Sequence, residues 1–320
     1  MPPRQSGPSV WAGHELQGDA SWRWVLSTAE VDELLAAALG GPKALPSVGP
    51  QLDAVRRQLT HGRGFVLIGG MPAALDPQTA AGVFELVGAR LGSARSQNAG
   101  GDLLGHVRDT GRDGADPAVR IYQTNQRQTF HTDSADVVGL YCLGVAAEGG
   151  DSLLVSGSTI YNHMLDRDPA LAAMLFDPIA TDRRGETPPG EEPFTRIPVF
   201  NWHDDVLTVM YQRQYIESAQ RFADAPPLTD EAAAAMDLFD EIANDPAIHL
   251  RMRLEPGDMQ FVHNHSLLHD RTGFVDDPAH PRHLLRLWLS VPGDRELPPI
   301  YATRFGSVEV GNRGGIRVAE

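Results

Sequence analysis

The sequence has one cysteine, few basic residues and no long apolar run. Cys142 alone cannot form an intrachain disulfide, a four-thiolate zinc site or a cysteine-held iron–sulfur cluster. No apolar segment is long enough to span a bilayer, and the N-terminus does not resemble a signal peptide. Lys and Arg total 27 against 42 Asp and Glu, and the net charge of −15 repels phosphate backbones. We therefore expect a cytoplasmic protein that binds neither nucleic acid nor membranes, and whose metal ligands, if any, are His, Asp or Glu.

The remaining composition is that of a folded protein. Hydrophobic residues make up 42% and charged residues 22% of 320 positions, which is enough apolar surface to bury a core. Ser27 and Glu30 have the spacing of a capping box, and Asp76-Pro77 is a typical helix start. A short helix ending near Leu59 follows a proline-punctuated linker, residues 42–50. The capping box at Ser27 and the helix ending near Leu59 predict an N-terminal helical arm over residues 1–60, and the helix at Asp76 belongs to the part that follows.

Beyond residue 118 the chain consists of short apolar runs separated by Gly, Pro and Asp. Such runs predict strands over Val119–Tyr122, Val137–Ala146, Ser152–Val155, Ile197–Phe200, Val206–Tyr211, Ile248–Leu254, Met259–His263 and Leu284–Val291. Helical insertions are expected after Ser158 and from the Thr229 cap to Asn244. The pattern predicts a mainly β fold with flanking helices, of the double-sheet jelly-roll type.

We expect one domain, 1–320, with the arm, a jelly-roll core over 61–295 and a C-terminal tail over 296–320. The acidic, proline-rich stretch Gly185–Pro193 lies between two predicted strands. It is either a mobile lid over a site or an ordinary surface loop.

Phosphate-loop, dinucleotide, zincin and hydrolase-elbow motifs are absent from the chain. The chain does contain Phe130-His131-Thr132-Asp133 in its strand-rich part. Alternate side chains of an extended segment share a face, so His131 and Asp133 could hold one metal ion together. A solvated turn is the other interpretation of this short motif.

A second group of polar residues follows the turn at Pro256-Gly257-Asp258. His263, His265 and His269 lie within seven residues, and any one of them would complete two histidines and one carboxylate around a metal. That ligand set suits non-haem Fe(II) oxygenases. Further on, Arg282 and Arg286 share a face of a strand in an otherwise apolar run. Each arginine either pairs with an acidic side chain or binds a dicarboxylate.

Together these motifs resemble a known family. The order H-x-D, then G-G-D-S at residues 149–152, then N-x-x-x-x-H-x-R at 264–271, then two arginines four apart is similar to the taurine dioxygenase and clavaminate synthase-like branch of Fe(II)/2-oxoglutarate-dependent oxygenases. The resemblance covers about residues 60–290 and implies a double-stranded β-helix. It also implies that His131, Asp133 and His269 are the iron ligands, because the family has an asparagine five residues before the distal histidine. His265 and His263 are the competing choices.

The resemblance implies further roles. Arg282 would hold the distal carboxylate of 2-oxoglutarate, assisted by the Ser152 hydroxyl where relatives carry threonine. Arg286 would face the acid group of the substrate or brace the co-substrate. The expected cofactors are Fe(II), 2-oxoglutarate and O2. The expected reaction is hydroxylation, desaturation or ring formation on a small anionic metabolite, with release of succinate and CO2. Halogenation is disfavoured, because halogenating relatives have a small residue in place of Asp133.

Three further residues are predicted to line the substrate pocket. Tyr122 and Asn125 lie just upstream of the H-x-D motif, and Arg213 alternates with Tyr211 and Tyr215 along a predicted strand. The partner is expected to be a small molecule, and a homodimer is a family-level expectation.

Two alternatives remain open at this point. The same ligands could hold zinc in a hydrolase or isomerase on a cupin-like barrel, with metal-bound water as the base. The scaffold could also belong to a non-catalytic binding protein.

Overall fold

A computed structural model describes residues 1–112 and 119–317, so the last three residues of the predicted tail lie outside it. Its helices are α1 Gly13–Leu16, α2 Thr28–Ala38, α3 Val48–His61, α4 Pro77–Leu91, α5 Gly157–Arg167, α6 Pro169–Met174, α7 Arg213–Ala219, α8 Asp230–Asn244 and α9 Ala302–Phe305. Its strands are β1 Arg23–Val25, β2 Phe65–Gly69, β3 Ser93–Arg95, β4 Leu104–Val107, β5 Gln128–His131, β6 Val137–Gly144, β7 Glu148–Gly149, β8 Ser152–Ser156, β9 Ile179–Asp182, β10 Phe194–Ile197, β11 Phe200–His203, β12 Val206–Val209, β13 Leu250–Met252, β14 Met259–His263, β15 Leu267–Arg271, β16 Phe274–Val275 and β17 His283–Ser290. No helix in this described part is both long and apolar enough to cross a membrane.

The helix starts follow local capping chemistry. The Ser27 side chain accepts from the Glu30 amide, and Asp76 accepts from two amides at the start of α4. Thr229 caps α8 in the same way. These predicted starts are confirmed. Helix α3 is longer than predicted, because Pro50 lies in its first turn, where the missing N–H would have no intrahelical partner anyway.

Most strands form two sheets. The larger sheet has the order β1-β2-β14-β6-β17-β3, with β4 also paired to β17. The smaller sheet has the order β13-β8-β15-β5, and three two-stranded pairs lie outside these sheets. The prediction of a mainly β fold with flanking helices is confirmed. Neither sheet closes into a barrel within residues 1–112 and 119–317, so the jelly roll stays a prediction at this level.

Strand alternation sorts the side chains into layers. Leu154 of β8 and Leu267 of β15 pack with Val262 of the large sheet in one cluster between the sheets. The neighbouring positions point outward: Phe261 packs against α2–α4, and Val155 packs against α5 and α8. A polar side chain at an inward position of β5, β8, β15 or β17 is therefore enclosed between the two sheets.

Two predicted strands differ from the structure. Residues 119–122 contribute to a 3-10 turn at Ile121–Gln123 instead of a strand. The strand predicted to reach Tyr211 ends at Val209, because the backbone of Tyr211 bonds Thr132 across the chain and Gln212 then starts α7. Isolated apolar runs do not specify these endings, which depend on tertiary partners.

Candidate active site

Two strands of the smaller sheet bring three potential metal ligands together. His131 ends β5 and lies opposite His269 of β15 in the antiparallel register, while Asp133 follows two residues after His131. The ligand atoms of these three residues all lie within 4.8 Å of one another. The His269 Nε2 to Asp133 Oδ2 distance is 3.6 Å, and the His131 Nε2 to Asp133 Oδ1 distance is 3.9 Å. We call this group the triad.

Hydrogen bonds orient the His131 ring. Its Nδ1 lies 2.8 Å from the Thr129 carbonyl oxygen, which can only accept, so the proton is assigned to Nδ1. The lone pair is then on Nε2, 2.8 Å from the Gln128 side-chain nitrogen. A metal at the triad would replace Gln128 as the partner of this lone pair. The backbone acceptor behind a ligating histidine is a common arrangement in metal sites.

The Asp133 carboxylate and backbone are also held. Trp288 Nε1 donates to Asp133 Oδ2 at 2.9 Å. The Asp133 amide donates to Asn264 Oδ1 at 3.0 Å, and the Asn264 amide group in turn donates to the Ala135 carbonyl at 3.0 Å. Asn264, five residues before His269, therefore ties the segment that carries Asp133 to the β14–β15 turn.

The protonation states suit a metal. Burial lowers the pKa of His131 to about 3, so the ring is neutral near pH 7. Burial alone would raise the pKa of Asp133, but hydrogen bonding to His269 and the nearby Arg286 charge hold this pKa well below its ordinary value. Among the described residues, His269 Nδ1 is buried without a hydrogen-bond partner. Two imidazoles and one carboxylate form a donor set suited to Fe(II).

Two buried arginines lie beside the triad without acidic partners. Within the described ranges, Arg282 Nη1 and Arg271 Nε have no hydrogen-bond partner, and no carboxylate oxygen lies within 4.0 Å of either guanidinium group. Burial lowers the pKa of Arg282 to about 10 and that of Arg271 to about 9. Ser152 lines the same cavity and donates its hydroxyl to Gln260 Oε1 at 3.0 Å. The Nη atoms of Arg271 donate to the carbonyl oxygens of Thr124 and Gln126. The Arg282 guanidinium group next to the Ser152 hydroxyl is therefore the one suited to binding a carboxylate.

The G-G-D-S motif allows Arg282 to approach. Gly149 and Gly150 have φ of +70° and +74°, a region that favours glycine. A Cβ on Gly150 would lie 2.9 Å from Arg282 Nε, and one on Gly149 would lie 2.1 Å from the Gly273 carbonyl oxygen. Both glycines are therefore required by close approach as well as by the turn.

Arg286 and Tyr122 border the triad on another side. The Arg286 guanidinium carbon lies 4.4 Å from the Tyr122 ring centroid and 5.0 Å from that of Trp288. Its Nε donates to Gln97 Oε1 at 2.6 Å. Tyr122, Arg282, Arg286 and Ser152 line one cavity with the triad, which we call the first cavity.

Asn125 and Arg213 do not belong to this cavity. Asn125 is exposed, and its carbonyl oxygen accepts from the Phe274 amide. Arg213 begins α7 and forms ion pairs with Glu217 at 2.6 Å and Asp237 at 2.9 Å. The expected alternation with Tyr211 fails because the strand has already ended, and Arg213 does not line the first cavity.

His263 and His265 lie in a separate buried cluster. His263 Nε2 is 3.0 Å from Asp294 and His265 Nε2 is 2.8 Å from Asp136. Arg313 bonds both carboxylates, at 2.7 Å to Asp136 and 3.0 Å to Asp294. Although three of these residues have metal-ligand spacing, their donors and acceptors are already used within the protein. The two competing histidines therefore do not join the triad.

Several residues around the triad were not anticipated from the sequence. Trp288 and Gln97 contact Asp133 and Arg286, and Arg120 and Arg304 line an adjoining cavity. The alternation of Arg286 with Trp288 could have indicated the tryptophan. The other three are distant in sequence and carry no motif.

Fold and site together describe a mainly β protein with a triad suited to a metal ion, beside a cavity lined by buried arginines. The sequence model of one protein family, described as "Taurine catabolism dioxygenase TauD, TfdA family", matches residues 32–288 of this chain. The chain therefore belongs to that family and is a 2-oxoglutarate-dependent non-haem iron dioxygenase that uses Fe(II), 2-oxoglutarate and O2.

Three similar proteins illustrate the range of this group. FR-33289 synthase of Streptomyces rubellomurinus is 33% identical, over 94% of this chain and 95% of the relative. A uridine-5'-phosphate dioxygenase of Amycolatopsis sp. is 29% identical, over 52% of this chain and 62% of the relative. The solved structure of asparagine oxygenase with Fe(II), 3-hydroxyasparagine and succinate has a TM-score of 0.65 at 17% identity, over 84% of this chain and 93% of that one. The last similarity concerns the fold.

Proposed function

We propose that this protein oxidises a C–H bond of a small anionic metabolite by hydroxylation, desaturation or ring formation, with release of succinate and CO2. The observation that carries the proposal is the triad beside a buried arginine, Arg282, whose guanidinium group has an unused donor. That combination matches the needs of a metal and a keto-diacid bound side by side. The scaffold we propose for it is the double-stranded β-helix.

Particular residues would hold the metal and the co-substrate. His131, Asp133 and His269 would hold Fe(II), which supplies the oxidising chemistry when O2 and the co-substrate are bound. Arg282 would bind the distal carboxylate of 2-oxoglutarate together with Ser152, since both line the first cavity. The single hydroxyl proton of Ser152 would then turn from Gln260 Oε1 to the carboxylate.

The surrounding residues would orient the metal ligands and keep water away from the reacting groups. The Trp288 N–H leaves only one Asp133 oxygen without a side-chain donor, and the Thr129 carbonyl keeps the His131 proton on Nδ1. Val107 and Leu284 contribute apolar wall to the first cavity, which limits water near the reacting groups.

The substrate would lie near Arg286 and Tyr122. Arg286 is buried and has no acidic side chain within 4.0 Å among the described residues, so an anionic substrate group would supply the missing partner. The relatives named uridine-5'-phosphate dioxygenase fit an anionic substrate. Asn125 and Arg213 take no part in this proposal. The single domain, the homodimer and the cytoplasmic location stay predictions.

The test is succinate formation from 2-oxoglutarate with Fe(II) in air, over a panel of amino acids, betaines and small acids. Asp133→Ala should abolish it, because the metal loses its carboxylate ligand. Asp177→Ala, which changes an exposed aspartate, is the matched control and should retain the wild-type rate. Wild-type turnover in Asp133→Ala, or full activity under argon, would contradict the proposal.

A further inference from the structure

A second cavity adjoins the triad. Arg120, Arg286 and Arg304 line it together with Gln97 and Tyr215, and it shares Asp133 with the first cavity. The three arginines come from separate parts of the chain: the segment before the 3-10 turn, β17 and α9. Neither Arg120 nor Arg304 has a role in the function proposed above.

Three guanidinium groups line this cavity, and among the described residues the carboxylates near them are Asp133, which also lines it, and Glu186, which pairs with Arg120. Arg304 Nε donates to Ser134 Oγ at 2.8 Å, and within the described residues no carboxylate oxygen lies within 4.0 Å of its guanidinium group. Arg286 has the neutral Gln97 as its side-chain hydrogen-bond partner. Arg120 donates to the Tyr215 hydroxyl at 2.6 Å and forms an ion pair with Glu186. Two of the three guanidinium groups thus have no carboxylate oxygen within 4.0 Å in the part of the chain that the structure describes, although acidic residues outnumber basic ones by 42 to 27 in the sequence.

Glu186 belongs to the loop between β9 and β10, the segment expected to be either a lid or a surface loop. Glu191 of the same loop pairs with Arg183 at 2.7 Å and with Arg317, away from the second cavity. Only the Glu186 end of the loop therefore contributes a carboxylate to the arginines of the second cavity, among the residues that the structure describes.

We propose that the second cavity binds a doubly charged phosphoryl group of the substrate, in a phosphate ester or a phosphonate, through Arg120 and Arg304, and that Glu186 occupies Arg120 until the substrate displaces it. The inference rests on the proposed function, since it places the anionic end of the oxidised molecule. A phosphoryl dianion offers enough oxygens for two guanidinium forks, and once Glu186 is displaced its two charges balance those of Arg120 and Arg304. A carboxylate or sulfonate carries one charge and would leave one guanidinium group uncompensated.

The experiment uses the full chain without metal, because phosphate also binds metal ions. Inorganic phosphate, methyl phosphate, methylphosphonate and methanesulfonate are titrated at matched ionic strength, and binding is followed by the melting temperature. We expect the three phosphoryl probes to bind at least about tenfold more tightly than methanesulfonate, a difference of about 1.4 kcal/mol. Tighter binding of methyl phosphate would indicate a phosphate ester as the substrate, and tighter binding of methylphosphonate would indicate a phosphonate.

Substitutions distinguish the contributions of the individual residues to phosphoryl binding. Arg120→Gln should weaken methylphosphonate binding about tenfold or more, and Arg120→Lys should restore part of it, because the charge returns without the fork. Glu186→Gln should strengthen binding, because the competing carboxylate is neutralised. Glu191→Gln, in the same loop, is the matched control and should leave the affinity unchanged. Arg304→Gln tests the second proposed phosphoryl ligand and should likewise weaken methylphosphonate binding.

Three outcomes would overturn the inference: no phosphoryl binding, equal binding of methanesulfonate, or Arg120→Gln and Glu186→Gln affinities equal to that of the wild type. None of them affects the proposed function, which fails separately if Asp133→Ala still forms succinate. The two hypotheses therefore have distinguishable failures.

Discussion

Replacing Arg282 by methionine should stabilise the protein and at the same time remove its affinity for 2-oxoglutarate. The Arg282 side chain is 6% exposed, and one of its guanidinium nitrogens is buried without a partner in the described part of the chain. Its pKa falls from 12.5 to about 10, mainly through burial. At about 1.4 kcal/mol per unit, the charge costs the unliganded protein about 3 kcal/mol.

Methionine fills a similar volume without a charge, so the free energy of unfolding should rise by about 1–3 kcal/mol. The same substitution removes a charge-assisted, two-pronged contact with a carboxylate. Losing about 3 kcal/mol or more of that contact predicts 2-oxoglutarate binding at least about 100-fold weaker. Stability and binding should therefore change in opposite directions.

Urea unfolding of the metal-free protein measures the first effect, and anaerobic titration calorimetry of the Fe(II)-loaded protein with 2-oxoglutarate measures the second. Arg313→Met is the matched control. Arg313 is also buried, but its guanidinium group bonds Asp136 and Asp294. Removing it leaves two buried carboxylates, so this variant should lose about 3–5 kcal/mol of stability.

The reasoning is refuted if Arg282→Met destabilises the protein as much as Arg313→Met does. That result would mean that Arg282 has a compensating partner in the unliganded state. Unchanged 2-oxoglutarate affinity in a folded Arg282→Met protein would refute the assignment of the co-substrate site.

Three further substitutions test the surroundings of the triad and the separate buried cluster. Trp288→Phe removes the N–H that donates to Asp133 and should weaken Fe(II) binding about tenfold in an anaerobic titration, whereas equal affinity would contradict this role. Asn264→Ala leaves the Asp133 amide without its acceptor and should cost about 2 kcal/mol of stability in urea, so a loss near zero would speak against it. Burial lowers the pKa of His263 from 6.5 to about 4, so the folded protein binds fewer protons than the unfolded chain between these pH values. The contribution of His263 to the free energy of unfolding should be constant above pH 6.5 and fall by up to about 3 kcal/mol towards pH 4. Because burial also lowers the pKa values of His131 and His283, His263→Asn should reduce the total fall by about 3 kcal/mol without abolishing it. A profile parallel to the wild type would exclude a contribution from His263.

Local signals predicted the local structure well. The caps at Ser27, Asp76 and Thr229 depend on a side chain and an amide only a few residues apart, so they require no knowledge of the rest of the fold. Strand alternation was equally informative where a strand formed: Arg282 and Arg286 face the first cavity together, as their spacing predicts.

Predictions failed where an element's end depends on distant partners. The strand at Val206 stops because Thr132, far away in sequence, takes the backbone hydrogen bonds of Tyr211. Arg213 then lies on a helix, and its predicted orientation is lost. Similarly, Asn125 is near His131 in sequence but lies in an exposed segment outside the cavity. Proximity along the chain therefore did not translate into proximity in space.

The most informative property of the site, which arginines lack an acidic partner, was inaccessible from the sequence. Arg282 and Arg313 are both nearly inaccessible to solvent, and the chain offers 42 acidic residues to either. The fold brings two carboxylates to Arg313 and, among the described residues, none within 4.0 Å of Arg282. Because an unpaired buried charge is costly, this asymmetry persists only if a ligand supplies the missing negative charge or if stability is given up for binding. The contrast between the two arginines is thus a property of tertiary contacts, and it is what the Arg282→Met and Arg313→Met pair measures.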